Sequence, residues 1–520
     1  MLFNSFPFLF GFLPLALVLT YWAGRRPTPT LAKFTLAVLS LGFYAWWRPV
    51  YLWLLLFSIA FNYLVGNRIQ KAVAAKQKRS VQVWLTFGLL VDVGMLGYFK
   101  YANFFVDNVS SLTGAHWTLN HIVLPLAISF YSFQKIAYLV DSARGETRPM
   151  SILDFTLFAA FFPQLISGPI VHYKEVVPQL QGPLFGRLIW RNILVGLAIM
   201  AIGLFKKTVI ADTMSGYSDS LFAIADSKGP IDFVTGWLAA IIYTFQLYFD
   251  FSGYSDMAIG LARMFGVKLP LNFHSPLRVG NIADYWRRWH MTLQRMIYAY
   301  VFQPLSLFLI RATWRLGLTG WGAFTVSVGL PTFITFVIVG VWHGAGWTFV
   351  TFGVMHAVYV SGFEIWRERR TKLQRRLRKL GKKLREPGPA SRAAAQALTL
   401  VAILLGNVMF RAKTVGAAVS VWAGMAGLRG GFFDIRAIGW DVAAAVAICA
   451  AIVAFFPNTQ QIMSRFDPAY NWKEWSDVAR PAIDFAWRPN TVGLVAVGVV
   501  LFFGVMFIQR GQAIFLYFNF

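Results

Sequence analysis

Long apolar runs separated by short polar segments dominate this chain. Each run is near the length of about 20 residues that an α-helix needs to cross a bilayer. The runs do not alternate apolar and polar positions in the way that transmembrane β-strands do. The pattern therefore predicts an all-α polytopic membrane protein. The expected spans are 6–23, 32–47, 50–66, 83–99, 121–140, 152–171, 191–210, 232–250, 292–310, 321–341, 346–364, 395–411, 440–456 and 491–509.

The composition agrees with a membrane protein. Of the 520 residues, 57% are hydrophobic and 13% are charged, whereas a soluble domain carries about 25% charged residues. Several tryptophans lie near the ends of runs, as at Trp46 and Trp117, where indole rings suit the membrane–water interface. The first run, 6–22, follows no basic residue and has no clear small-residue cleavage site. We therefore expect a retained span there rather than a cleaved signal peptide.

Basic residues set the expected orientation. The net charge is +26, and the basic residues fall in short loops at 25–26, 68–79 and 144–148 and in the segment 367–392. By the positive-inside rule these segments are cytoplasmic and the N-terminus is extracytoplasmic. The segment 367–392 fits a nucleic-acid or partner site, but an amphipathic helix on anionic lipids is favoured. We therefore expect anionic lipids, and no nucleic acid, as partners.

The segment 457–490 is the longest polar stretch and contains four prolines. It is predicted to be an extracytoplasmic loop. No repeat of fixed period and no low-complexity linker divides the chain. One membrane-embedded domain over residues 1–520 is the expected organisation.

Polar residues interrupt the apolar body halfway along the chain, at Asp250, Ser252, Tyr254 and Asp256. A polar tunnel lining or a ligand contact explains them, and so does a helix end with a serine cap; the sequence favours neither. The single cysteine excludes an internal disulfide and a cysteine metal site. The two aspartates lack a suitably spaced third ligand, so no metal site is predicted.

A second polar stretch contains Asp284, Trp286, Arg288 and His290. In a helix, Asp284 and Arg288 are four apart and form a pair, while Trp286 and His290 share another face. Aromatic and basic residues together bind nucleotides or phosphates. An interfacial amphipathic helix typically contains the same residue types, and the stretch taken alone favours that interpretation.

His343 lies between two apolar runs, next to Trp342 and shortly before Trp347. Ionisable side chains at membrane depth are costly and usually face a cavity or a partner. Gly344 and Gly346 allow another molecule or backbone to approach closely. A desolvated imidazole is neutral and accepts a proton, so His343 fits a general base as well as a core histidine. No serine nucleophile elbow is present at a convincing location, which favours direct attack by an acceptor.

Several stretches together resemble the membrane-bound O-acyltransferases, in particular the bacterial branch that includes the alginate O-acetyltransferase membrane subunit. The core of the resemblance covers about 121–411. The matching stretches are 124–134, 162–170, 248–256, 272–290 and 342–344.

The resemblance implies a ring of transmembrane and re-entrant helices around a central funnel or tunnel, in a bacterial inner membrane. It implies that His343 is the catalytic histidine and that His290 assists it. The implied donor is acetyl-CoA as a co-substrate, with no bound cofactor and no metal. The implied partners are a polysaccharide acceptor, a periplasmic acetyltransferase or relay protein, and a cytoplasmic acyl donor protein. Substrate-binding or tunnel-lining roles are expected for Asp250, Ser252, Tyr254, Asp256, Asp284, Trp286, Arg288 and Trp342.

Three alternatives stay open at this point. A transporter also uses intramembrane polar residues and broken helices, but it consumes no thioester. A relative within the same family transfers D-alanine from an acidic carrier protein, which would dock on the basic cytoplasmic face. A structural scaffold for a polysaccharide synthase needs no chemistry at His343.

Overall fold

The computed structural model describes residues 1–114, 117, 119, 122–383, 386–428 and 439–508. Across these residues the regular structure is helical, without a β-strand, which confirms the predicted all-α class. Seven helical stretches of the described chain are long and apolar enough to cross a membrane, at Val50–Ala74, Lys78–Thr113, Trp190–Asp226, Met291–Arg315, Gly320–His343, Trp347–Lys379 and Pro389–Arg411. Shorter apolar helices occupy Pro7–Ala23, Thr30–Ala45, Val415–Met425, Trp440–Phe455 and Thr491–Met506. The protein is therefore a multi-pass membrane protein.

The remaining helices are mostly short and pack between these spans. They are Ile128–Ala143, Ile152–Ala160, Phe162–Leu165, Tyr173–Leu180, Phe233–Met264, Ile282–Arg288 and Thr459–Ile462, with 3-10 turns at Ser464–Phe466 and Trp472–Glu474.

The helix Phe233–Met264 forms the centre of the fold, and it is buried on all sides from Ile242 to its end. Its close partner is the helix Trp190–Phe205. A β-carbon on Gly203 would lie 2.7 Å from the Gly253 carbonyl oxygen, so the two backbones touch without side chains between them. Small residues at such crossings let helices pack tightly in a membrane.

The expected crossing at 152–171 is wrong. The helix Ile152–Ala160 ends, a single turn follows at Phe162–Leu165, and Ser167 adopts a left-handed backbone with φ 55°. Two prolines in this stretch, at 163 and 169, cannot donate helical hydrogen bonds. Residues 161–171 are all buried, which is the condition for irregular backbone at membrane depth. The stretch is therefore a broken segment enclosed by protein.

The segment 457–490 and the basic end of the helix Trp347–Lys379 lie at the same end of the molecule. Arg287 borders one cavity together with Glu474 and a second cavity together with Arg367. The side of the membrane on which 457–490 lies stays a prediction. The segment forms a cap over the polar end of the central helix, where Thr459 donates to Asp256.

Candidate active site

His343 is the last residue of the helix Leu330–His343, and the chain turns sharply after it into the helix Trp347–Lys379. Gly344 is required in this turn because a β-carbon there would lie 2.2 Å from the Phe349 ring. At Gly346 the nearest atom to a β-carbon would be 3.6 Å away. Of the two glycines in the turn, only the first is therefore forced by close packing.

Aromatic rings surround the His343 side chain, which is 2% exposed. Its ring centroid lies 4.9 Å from Trp342, 5.0 Å from Phe410 and 5.9 Å from Phe352. The imidazole therefore lies in an apolar, aromatic environment. The surroundings suit a group that accepts a proton during a reaction.

His290 reaches the same place from another part of the chain. It links the helices Ile282–Arg288 and Met291–Ile297 with a left-handed backbone of φ 46°, which is uncommon for a residue other than glycine. Its ring lies 6.0 Å from Trp342 and 4.7 Å from Phe251 on the central helix. Strained backbone of this kind is concentrated at functional sites.

Asn272 fixes the orientation of His290. The His290 Nδ1 and the Asn272 Oδ1 are 3.0 Å apart, and the same amide donates from its nitrogen to Ser255. The amide oxygen is therefore the acceptor and Nδ1 carries the hydrogen. In the neutral ring this leaves the lone pair on Nε2.

The two histidines therefore meet around one indole. His290 and His343 both contact Trp342, and the Lys100 amino group lies 5.6 Å from the centroid of the same indole ring. The structure brings together three of the expected site residues from distant parts of the sequence.

Trp286 lies one layer from this cluster. Its indole nitrogen donates to His356 Nδ1 at 3.2 Å, so His356 carries its hydrogen on Nε2. The His356 ring is 4.5 Å from Phe352, which in turn borders His343. Trp286 also lines a cavity of about 430 Å³ that contains Phe336 and reaches Arg367 at its rim. This cavity extends from Arg367 at the basic end of a spanning helix to Trp286, the residue that donates to His356.

The expected pairing of Asp284 with Arg288 is not what the structure shows. Asp284 pairs with Arg287 at 3.2 Å and accepts from Asn281 at 2.9 Å. The helix ends at Arg288, so His290 lies beyond it and does not share a helical face with Trp286. Arg288 instead lines a cavity of about 230 Å³ with Trp475 from the remote segment 457–490.

The polar residues of the central helix make contacts of a different kind. Asp250 pairs with Lys207 at 2.7 Å, and Asp256 pairs with Lys206 at 2.8 Å. The Tyr254 ring stacks on another aromatic ring near the N-terminus, and Ser252 is buried. The two carboxylates therefore tie the central helix to its neighbour. Among the described residues, no group of three or more His, Cys, Asp or Glu side chains is arranged to hold a metal ion.

Two residues of the site were not singled out from the sequence. Asn272 begins the matching stretch 272–290, but nothing in its spacing indicates a bond to a residue 18 positions later. Lys100 follows the expected span 83–99, where a lysine is typical of a membrane boundary. The helix instead continues to Thr113, and Lys100 is buried.

Comparison with known proteins places these features in a family. Residues 82–379 match the model of the MBOAT, membrane-bound O-acyltransferase family. The chain is 38% identical over 457 residues to a peptidoglycan O-acetyltransferase of Helicobacter pylori, covering 83% of this chain and 80% of that protein. It is 35% identical over 432 residues to a probable alginate O-acetylase AlgI of Azotobacter vinelandii, covering 82% and 78%. It is 29% identical over 266 residues to a teichoic acid D-alanyltransferase of Bacillus subtilis, covering 49% and 63%.

Proposed function

This chain belongs to the membrane-bound O-acyltransferase family, and we propose that it moves an acetyl group across the membrane. The donor is a cytoplasmic thioester, acetyl-CoA, and the acceptor is a hydroxyl group of an extracytoplasmic polysaccharide or relay protein. Relatives named for acetylation of peptidoglycan and alginate match over four fifths of the chain. That similarity favours acetyl transfer to a glycan over the transporter and scaffold alternatives.

The observation that carries this proposal is the buried cluster of His343, Trp342 and His290. In it, His343 is the general base. It removes the proton from the acceptor hydroxyl, and the hydroxyl oxygen attacks the thioester carbonyl carbon. The carbon–sulfur bond then breaks, and the leaving thiolate takes the proton from His343. Base catalysis of this kind is worth about 10²- to 10⁴-fold, and holding both reactants in one tunnel adds to it.

His290 supports the base in this scheme. Because its Nδ1 hydrogen is directed to Asn272, the ring is held in one orientation next to Trp342. Backbone N–H groups near Gly344 then stabilise the negative charge on the carbonyl oxygen.

The cavity lined by Trp286 and Phe336 is the route of the donor. Its rim contains Glu364 and Arg367 at the basic end of a spanning helix, which faces the cytoplasm by the positive-inside rule. The thioester arm enters between the helices there and reaches the layer of His356 below His343.

The membrane is the bacterial inner membrane, with the N-terminus outside and the basic segments inside. We place the segment 457–490 on the cytoplasmic side as well, and the cavities that Arg287 lines with Glu474 and with Arg367 support this placement. One domain over 1–520 carries the activity, anionic lipids contact its basic face, and an extracytoplasmic relay protein is its partner.

Transfer of D-alanine from a cytoplasmic carrier protein is the second candidate. The similarity to a teichoic acid D-alanyltransferase supports it, although that similarity covers only half of the chain.

The test uses the full-length protein in sealed vesicles with acetyl-CoA on the cytoplasmic side and oligosaccharides from alginate or peptidoglycan on the other. We expect thiol release and ester formation in equal amounts, and at least a 10²-fold loss in His343→Ala. D-alanyl transfer from a loaded carrier without use of acetyl-CoA would establish the second candidate. Undiminished activity of His343→Ala would exclude this histidine as the base.

A further inference from the structure

The helix Lys78–Thr113 runs beside the turn that carries His343. We infer that Lys100 and Tyr101 of this helix are positioning residues for acyl transfer, which hold the His343 turn in its reactive place. The inference rests on the proposed role of His343 as the base.

Three successive carbonyl groups at the end of the helix Leu330–His343 receive hydrogen bonds from this pair. The Tyr101 hydroxyl donates to the Val341 carbonyl at 2.8 Å. The Lys100 amino group donates to the Trp342 carbonyl, and it lies 3.5 Å from the His343 carbonyl oxygen.

These bonds supply hydrogen-bond donors to carbonyl groups at the end of the helix. The last four carbonyl groups of an α-helix have no partner within the helix, and the chain after His343 is extended rather than helical. A cation is favourable at this end because the helix dipole is negative there. Lysine side chains that bind the last carbonyls are a known way of ending a helix.

Lys100 would be an expensive residue if it served packing alone. It is buried at membrane depth, where an ionisable group is costly. Its described hydrogen-bond partners are uncharged oxygen atoms, namely two backbone carbonyls and the Ser129 hydroxyl. A methionine would fill the same volume without that cost. The amino group is therefore retained for the carbonyls of Trp342 and His343.

The same helix also fixes the far side of the turn. The Asn108 side-chain oxygen accepts from the Trp347 indole nitrogen at 2.9 Å, and Phe104 lies 6.0 Å from the same ring. One rigid helix therefore holds the chain both before and after the turn. Displacement of a reacting group by about 1 Å costs about 10²-fold in rate, so the loss of these bonds should reduce turnover rather than binding.

The test measures kcat and KM for acetyl-CoA with the full-length protein in vesicles, using the variants Lys100→Met, Lys100→Arg and Tyr101→Phe. We expect kcat to fall at least about 30-fold in Lys100→Met and about 5-fold in Tyr101→Phe, with KM within about twofold of wild type. Lys100→Arg should recover part of the loss because a guanidinium donates to the same carbonyls. Tyr51→Phe is the matched control, since it removes a hydroxyl bond of 2.8 Å to the Val123 carbonyl away from the turn.

Thermal unfolding of each purified variant separates misfolding from misplacement. Normal kcat in a folded Lys100→Met, or an equal loss in the arginine variant and in Tyr51→Phe, would overturn the inference. The activity of His343→Ala distinguishes failure of the proposed function from failure of the positioning role. If that variant is active, the proposed function fails; if it is inactive while Lys100→Met is normal, only the positioning role fails.

Discussion

His290 and Trp342 come from two segments that are far apart in the sequence, yet their rings lie 6.0 Å apart. The contact depends on the left-handed backbone of His290 and on the helix that ends at His343, the neighbour of Trp342. Each of these features lies at the end of a helix rather than within one. The candidate site is therefore built where helices stop, which leaves backbone groups and rings facing a shared space.

The amide of Asn272 should govern activity through His290. Replacement of Asn272 with alanine removes the acceptor for His290 Nδ1 and for Thr292, so the ring loses its fixed tautomer. We expect activity to fall about 10- to 100-fold, together with about 1–3 kcal/mol of stability from the buried partners left behind. Asn62→Ala is the control, because Asn62 is a buried amide bound to Asp92 elsewhere in the membrane. Equal kcat losses in both variants would show that the effect is general rather than specific to His290.

The two glycines of the His343 turn should differ sharply. A methyl group at position 344 collides with the Phe349 ring, whereas one at position 346 meets no atom within 3.6 Å. We expect Gly344→Ala to lower acetyl transfer at least about tenfold, since the turn must shift, and Gly346→Ala to stay near wild type. The double variant Gly344→Ala, Phe349→Leu should regain activity. A harmless Gly344→Ala would mean that the ring moves aside without disturbing His343.

The fold class and the candidate site around His343 could be predicted from the sequence, because apolar length and the stretch Trp342-His343-Gly344 are local signals. The contacts that individual side chains make in the folded protein could not be predicted in this way. The expected partner of Asp284 was wrong by one residue, because residues three and four positions apart both neighbour it on a helix, and the structure pairs it with Arg287. The contact of Lys268 with Asp467 could not be predicted either, because it joins segments that no periodicity connects.

The carboxylate of Asp250 should stabilise the fold rather than contact a substrate. It shares Lys207 with Asp212, and all three side chains are almost fully buried. We expect Asp250→Asn to lower the free energy of unfolding by about 2 kcal/mol, because a buried charge loses one of its two partners. The kcat and acceptor KM of the folded fraction should stay unchanged. The control is Asp477→Asn, in an exposed pair with Arg480, which should change neither the free energy of unfolding nor the kinetics. A raised acceptor KM in Asp250→Asn would instead indicate a tunnel-lining role.

His274, which bonds to residues of the segment 457–490, should make the stability of the protein depend on pH. Its Nε2 lies 2.8 Å from the Val478 carbonyl and its Nδ1 lies 3.3 Å from the Asn458 amide nitrogen, an arrangement that satisfies the neutral ring. Burial lowers the pKa of His274 to about 4, and the charges of Arg288 and Arg278 act in the same direction. Protonation would place a cation where Asn458 donates.

As the pH falls, His274 is therefore protonated near pH 6.5 in the unfolded chain, but only near pH 4 in the folded chain. Above pH 6.5 His274 should not change the free energy of unfolding. Between pH 6.5 and pH 4 it should lower this free energy by up to about 3 kcal/mol, and below pH 4 its effect should be constant. Thermal unfolding of the purified protein across this range measures the slope. His274→Gln, which keeps a donor for Val478, should reduce the slope, and His172→Gln should retain it. A slope that is identical in wild type and His274→Gln would mean that other groups control the acid sensitivity of this cap.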